Sequence, residues 1–212
     1  FLVLAAITPG SELTIENLGV NPSRTGIIEI LKKMGAKINF ENRRMSAGEP
    51  VADVVIKYSP LHGVTIGGED IPRLIDEIPV LAVAAAHAEG QTVIQDAGEL
   101  RVKETDRIHA VVSQMAKLGM DILPQEDGMI INGGKALKGA RVDSFHDHRI
   151  AMALAIAGRA AQGQGSRSFP HASRVLPQRS RLALPRVRTG VPGVPDAPDV
   201  LPARRGSMHG NT

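Results

Sequence analysis

One pattern occurs twice in this chain and starts a third time, and it narrows the possible folds more than any single residue does. An apolar, Ala-rich helical stretch ends at glycine, a strand follows, an amphipathic helix closes on Met-Gly or Leu-Gly, and a hairpin completes the unit. The first copy reads Leu4–Thr8, Leu13–Leu18, Thr25–Met34, then Ala36–Phe40 paired with Val51–Tyr58. The second reads Ile78–Glu89, Thr92–Gln95, Thr105–Leu118, then Asp121–Pro124 paired with Gly128–Asn132. The period is roughly eighty residues, longer than the usual solenoid unit. Ile27, Ile30, Leu31 and Met34 follow i, i+3, i+4, i+7 spacing, as do Ile108, Val111, Val112 and Met115, so each amphipathic helix has one stripe to bury. Glycines 35, 90 and 119 supply the residue that adopts the left-handed conformation past a helix end. The strands are rich in β-branched residues with partial alternation, as in sheets whose inner face covers helices. The expected product is an α/β domain of repeated helix-and-sheet units around a shared core. A third copy begins with the helical stretch 147–160 and then gives way, and because a repeat cannot bury its apolar face without its neighbour, this end is the expected weak point.

Charge divides the chain at the same place. Residues 1–158 hold 16 Lys and Arg against 20 Asp and Glu, whereas residues 159–212 hold nine Arg, no Lys and two Asp, so the net charge of +3 comes from the tail alone. That tail also carries seven of the 14 prolines and shows neither a 2 nor a 3.6 periodicity, which leaves residues 161–212 as an expected irregular segment beside a domain at 1–160. A basic arm for nucleic acid is one reading. A disordered extension and a translation of another reading frame are the others, the last favoured over the arm by the loss of Lys after a body that uses it freely. Only Phe1, Phe40, Tyr58, Phe145 and Phe169 carry aromatic rings, too few for base-stacking platforms, so no nucleic acid is expected as a partner. With no Cys there is neither disulfide framework nor thiolate metal site, and a reducing compartment is permitted. The apolar run 1–7 is about a third of a membrane span and lacks a basic leader, so no membrane anchor is expected of it. A chain that opens with Phe inside an apolar run reads as a piece of a longer one.

Four segments could carry chemistry: Asn21-Pro22-Ser23-Arg24-Thr25-Gly26, Asp76-Glu77-Ile78-Pro79, Arg101-Val102-Lys103-Glu104-Thr105-Asp106-Arg107, and His146-Asp147-His148-Arg149. Each lies just before, or in the first turn of, an expected helix. Helix N-termini offer unpaired N–H groups and the positive dipole end, and added Lys and Arg point to a polyanionic small substrate. Asp76 and Asp147 also fit a plain N-cap, and position alone favours that reading. The 101–107 run also fits a solvated first turn whose ion pairs are worth little each.

Taken together, the run 101–107 and Asp147-His148-Arg149 resemble the hallmark segments of the EPSP synthase (3-phosphoshikimate 1-carboxyvinyltransferase) family, with support from the 21–26 turn and Ile75-Asp76-Glu77-Ile78-Pro79, over residues 1 to about 160. The resemblance implies two domains of three βαβαββ units each, of which this chain would be most of the C-terminal one. It implies transfer of the enolpyruvyl group of phosphoenolpyruvate to the 5-hydroxyl of shikimate 3-phosphate with release of phosphate, in the cytoplasm, without metal or organic cofactor. By motif position Asp76 resembles the carboxylate that accepts the hydroxyl proton, and Glu104 the proton donor to the methylene carbon. Lys103 resembles a ligand of shikimate 3-phosphate, Arg107 and Arg149 the clamps on phosphoenolpyruvate. His148 assists proton transfer or, the favoured reading, orients Arg149. Two guanidiniums grip phosphate and carboxylate oxygens bidentately, which Lys cannot do.

The departures also inform. The family's N-terminal domain, expected to complete the site, is absent, and the final unit is not legible although Ser168-Phe169-Pro170 echoes its closing segment, so the isolated piece is expected to be inactive. The rival readings are the sister transferase acting on UDP-N-acetylglucosamine, which the Lys-Glu-Thr-Asp-Arg run disfavours, and a non-catalytic nucleic-acid-binding protein using its basic tail.

Overall fold

The computed structural model describes residues 1–161 and 187–189. Two α/β units follow one another, in the order the repeat predicts. The first comprises α1 (Leu2–Ile7), β1 (Glu12–Gly19), α2 (Gly26–Lys33) and the hairpin β2 (Lys37–Ser46) and β3 (Glu49–Lys57). The second comprises β4 (Thr65–Ile66), α3 (Ile78–Ala86), β5 (Gln91–Ile94), α4 (Arg107–Lys117) and the hairpin β6 (Asp121–Gln125) and β7 (Gly128–Asn132). A third begins with α5 (His148–Ala161). The strand expected over 36–40 extends to Ser46, and the helix expected over 78–89 stops at Ala86.

Each unit contributes one sheet. The strand order is β2-β3-β1-β8 in the first and β4-β5-β7-β6 in the second, with β4 parallel to β5 and the other pairs antiparallel. Strand β8 (Val187–Thr189) pairs with Leu13–Ile15, one short ordered element inside the stretch expected to be irregular. The remainder of that stretch lies outside the described residues.

The helices sort by composition. In α3 every residue but Val80 is buried, as its unbroken apolar sequence requires. It packs against α1 and α5, so the Ala-rich helices form the interior, while α2 and α4 lay one apolar stripe each on the same core. Small side chains let these helices approach closely. Backbone contact is as tight at Gly128, where a Cβ would stand 1.9 Å from the Ile94 carbonyl oxygen across the β5–β7 pair.

Strand β2 outruns its apolar pattern because a polar staple holds its far half. The β1–β3 and β2–β3 ladders each slip register, between Ile15 and Leu18 and between Glu41 and Arg44. At these bulges Asn17 and Asn42 take positive φ, 56° and 47°, a region Asn tolerates better than most residues. Asp53 on the central strand serves both: its carboxylate accepts from the Asn17 amide (2.9 Å), Asn42 Nδ2 (2.8 Å) and Arg44 Nη2 (3.0 Å). These bonds, led by the one from the Asn17 amide, push the Asp53 pKa down to about 2 from 3.8. A carboxylate depressed in the folded state stabilises the fold above its ordinary value and loses that contribution as pH falls through the folded one. Between about pH 4 and pH 2 the melting temperature of the wild type should therefore fall more steeply than that of Asp53→Asn; parallel curves would refute the staple. Gly128→Ala should lower stability by about 1–3 kcal/mol in urea unfolding, because backbone and not a flexible side chain must give way.

Candidate active site

Three helix starts carry the charged residues, and each has a local reason for its position. A 3-10 turn, Ile75–Glu77, leads into α3, where Pro79 sits in the first turn and has no intrahelical N–H bond to lose. Asp106 caps α4 by accepting from the His109 amide at 2.9 Å, and its other oxygen takes Arg101 Nη1 at 2.9 Å. Arg101 also donates to the Gln125 and Glu126 carbonyls, tying the loop that bears Lys103 and Glu104 to the β6–β7 hairpin. Asp147 opens α5: its Oδ1 accepts from the amides of Arg149 (2.8 Å) and Ile150 (3.3 Å).

Arg107 joins all three starts. It is the first residue of α4, only 1% exposed, and its guanidinium donates from Nε to Asp147 Oδ2 (2.7 Å), from Nη1 to Asp76 Oδ1 (2.9 Å) and from Nη2 to Glu104 Oε2 (2.5 Å). The second oxygen of Asp76 takes Arg149 Nη2 at 3.0 Å, and Arg149 Nη1 reaches Glu77 Oε1 at 3.3 Å. Burial opposes ionisation of both Arg107 and Asp147, but their mutual hydrogen bond and the α5 amides outweigh it. The guanidinium is held above the ordinary arginine value and the carboxyl below its own, so the pair is ionic.

Asp76, Glu104, Arg107 and Arg149 are thus brought into one network from positions up to 73 residues apart. Lys103 precedes Glu104 on the same loop, but its ammonium turns to Glu99. His148 is exposed, and the bonds that orient Arg149 come from Asp76 and Glu77, with none from His148 among the described residues. Asp76 is no helix cap, since both its oxygens are taken by arginines. The 21–26 turn stays outside the network: Asn21 accepts from the Ser23 amide, and Arg73, paired with Glu29, donates to the Pro22 carbonyl. Two grooves beside the β2–β3 hairpin, one lined by Val20, Arg43 and Met45, the other by Asn21, Arg24 and Glu49, include none of the networked residues. The sequence reading missed the Arg107 pairing of Asp147, whose signal is identical to that of a cap, and the Glu77 contact to Arg149. Only an acid next to Asp76 hinted at the latter.

A duplicated α/β unit whose successive helices begin at one cluster of arginines and carboxylates defines a domain of the enolpyruvyl-transferase kind. The chain belongs to the EPSP synthase (3-phosphoshikimate 1-carboxyvinyltransferase) family, whose model matches residues 1–177. It is 59% identical to the 3-phosphoshikimate 1-carboxyvinyltransferase of Synechocystis sp. over 164 residues, 77% of this chain and 37% of that protein. The corresponding figures for the Brevibacillus brevis protein of the same name are 58% over 165 residues, 77% and 39%. The solved EPSP synthase of Acinetobacter baumannii superposes with a TM-score of 0.72 at 49% identity, covering 74% of this chain and 37% of that one. The chain therefore spans well under half the length of these relatives. Among the described residues no helix is long and apolar enough to cross a membrane.

Removing Asp147 takes from the buried Arg107 its one fully buried counter-charge and leaves it only the more exposed Asp76 and Glu104. Asp147→Ala should cost about 3–5 kcal/mol in urea unfolding, and Asp147→Asn, which keeps an acceptor for the α5 amides, clearly less. A loss of only about 1 kcal/mol in Asp147→Ala, with Asp147→Asn at the wild-type value, would show that capping alone is at stake.

Proposed function

We propose that this chain carries the C-terminal share of the site that transfers the enolpyruvyl group of phosphoenolpyruvate to the 5-hydroxyl of shikimate 3-phosphate. The observation that supports it best is the Asp76 carboxylate bridging Arg107 and Arg149 where α3, α4 and α5 begin. The reaction needs a base for the hydroxyl, an acid for the methylene carbon and cations for phosphate and carboxylate, and this cluster holds all three kinds of group.

In this reading the 5-hydroxyl oxygen bonds to C2 of phosphoenolpyruvate while Asp76 takes its proton and Glu104 delivers one to C3. The tetrahedral intermediate then expels phosphate as the Glu104 carboxylate takes back a proton from C3, which restores the double bond. Arg107 and Arg149 hold the phosphate and carboxylate of phosphoenolpyruvate, and Lys103 leaves Glu99 to meet shikimate 3-phosphate. His148, exposed next to Arg149, is available to move a proton at the rim. No cofactor enters any of these steps. The rest of the site comes from the N-terminal domain, so the chain alone stays inactive and works in the cytoplasm only as part of a whole enzyme.

Residues 1–161, exchanged for the matching segment of the Synechocystis relative, should give a chimera that releases phosphate only when both substrates are present. A folded but inactive chimera would refute the assignment. In that chimera Arg149→Lys should raise KM for phosphoenolpyruvate at least about tenfold, since a point charge replaces a bidentate grip.

A further inference from the structure

Each terminal nitrogen of the two arginines already meets a protein carboxylate. Arg107 spends its guanidinium on Asp147, Asp76 and Glu104, and Arg149 spends both terminal nitrogens on Asp76 and Glu77. Four carboxylates thus surround two guanidiniums, an excess of negative charge where an anion is to bind. An incoming anion that takes both terminal nitrogens of one arginine competes with at least one of these pairs. The Arg107–Asp147 pair is closed to that: its side chains are 1% and 0% exposed at 2.7 Å, and separating it would leave a charge buried without a partner. The pair Arg149–Glu77 is the opposite case. It is the longest contact in the network at 3.3 Å, its side chains are 30% and 33% exposed, and Glu77 makes no other ion pair among the described residues. Arg149 is therefore the movable clamp and Arg107 the fixed one.

We infer that Glu77 is a positioning residue that holds Arg149 on Asp76 and thereby sets how tightly the arginine pair takes an anion. The adjacency of Asp76 and Glu77 in one 3-10 turn lets their carboxylates meet the two terminal nitrogens of a single guanidinium. Glu77 lowers anion affinity twice over: it competes for Arg149 Nη1, and it places a like charge beside the ligand. The inference rests on reading Arg107 and Arg149 as the anion grip, but it assigns to Glu77 a role separate from proton transfer.

The test titrates the full chain with inorganic phosphate, followed by the backbone amide NMR signals of Arg149 and Ile150. Glu77→Gln, isosteric and uncharged, should bind phosphate about three- to fivefold more tightly than the wild type, the scale of a half-exposed ion pair. Glu41→Gln on the distant β2 strand, which removes the same charge, should leave the affinity unchanged. The gap between Glu77→Gln and the wild type should narrow at high salt. No tightening, or an equal gain in Glu41→Gln, would overturn the inference; Glu77→Ala repeats the measurement should Glu77→Gln unfold. In the chimera Glu77→Gln should lower KM for phosphoenolpyruvate and move kcat little, which a merely structural contact would not do. An inactive chimera with tighter phosphate binding in Glu77→Gln would sink the proposed reaction and leave this inference standing, and the reverse result would do the opposite.

Discussion

The ion pair between Arg107 and Asp147 is the contact on which the arrangement of the site depends. Both side chains are out of water, so neither tolerates the loss of the other, and each is fixed at the start of a different helix. The same carboxylate that neutralises Arg107 also receives the first amides of α5. One residue therefore sets where α5 begins and how far it stands from α4, and the positions of Glu104 and Arg149 follow. Asp76 completes the frame from α3, with one oxygen for each arginine.

Much of this architecture can be read from the linear sequence, for reasons that differ between elements. The stripes of α2 and α4 and the continuous apolar run of α3 declare both their type and their burial, because a period of 3.6 and an unbroken run mean different things for exposure. Strand β4 could not be found that way, since two residues show no period. The far half of β2 was hidden for another reason: Asn42 to Ser46 are exposed, and they are extended by the staple on Asp53 and not by an apolar face. Within the site, the motif residues Asp76, Glu104, Arg107 and Arg149 stand where their helix-start positions suggested. What one sequence cannot display is pairing across 40 or 72 residues, so Asp147 read as a cap and Glu77 as an ordinary acid of a first turn.

The cluster is also more acidic than its motifs imply. Conspicuous lysines and arginines in the 101–107 run suggest a cationic surface, yet Lys103 is matched by Glu99, Arg101 by Asp106, and Arg107 by three carboxylates. Charges of this kind shape a pocket before they attract anything to it.

The alanines of α3 have a mechanical meaning. Ala82, Ala84 and Ala85 are sealed among neighbouring helices, and the helix they belong to carries Asp76 and Glu77 at its leading end. An interior packed this densely passes displacement along instead of absorbing it. A single extra methyl group near the buried tail of this rod would push its tip, shifting a carboxylate that must meet two guanidiniums at once. The smallest side chains in the protein thus act as the gauge by which its clustered charges are spaced.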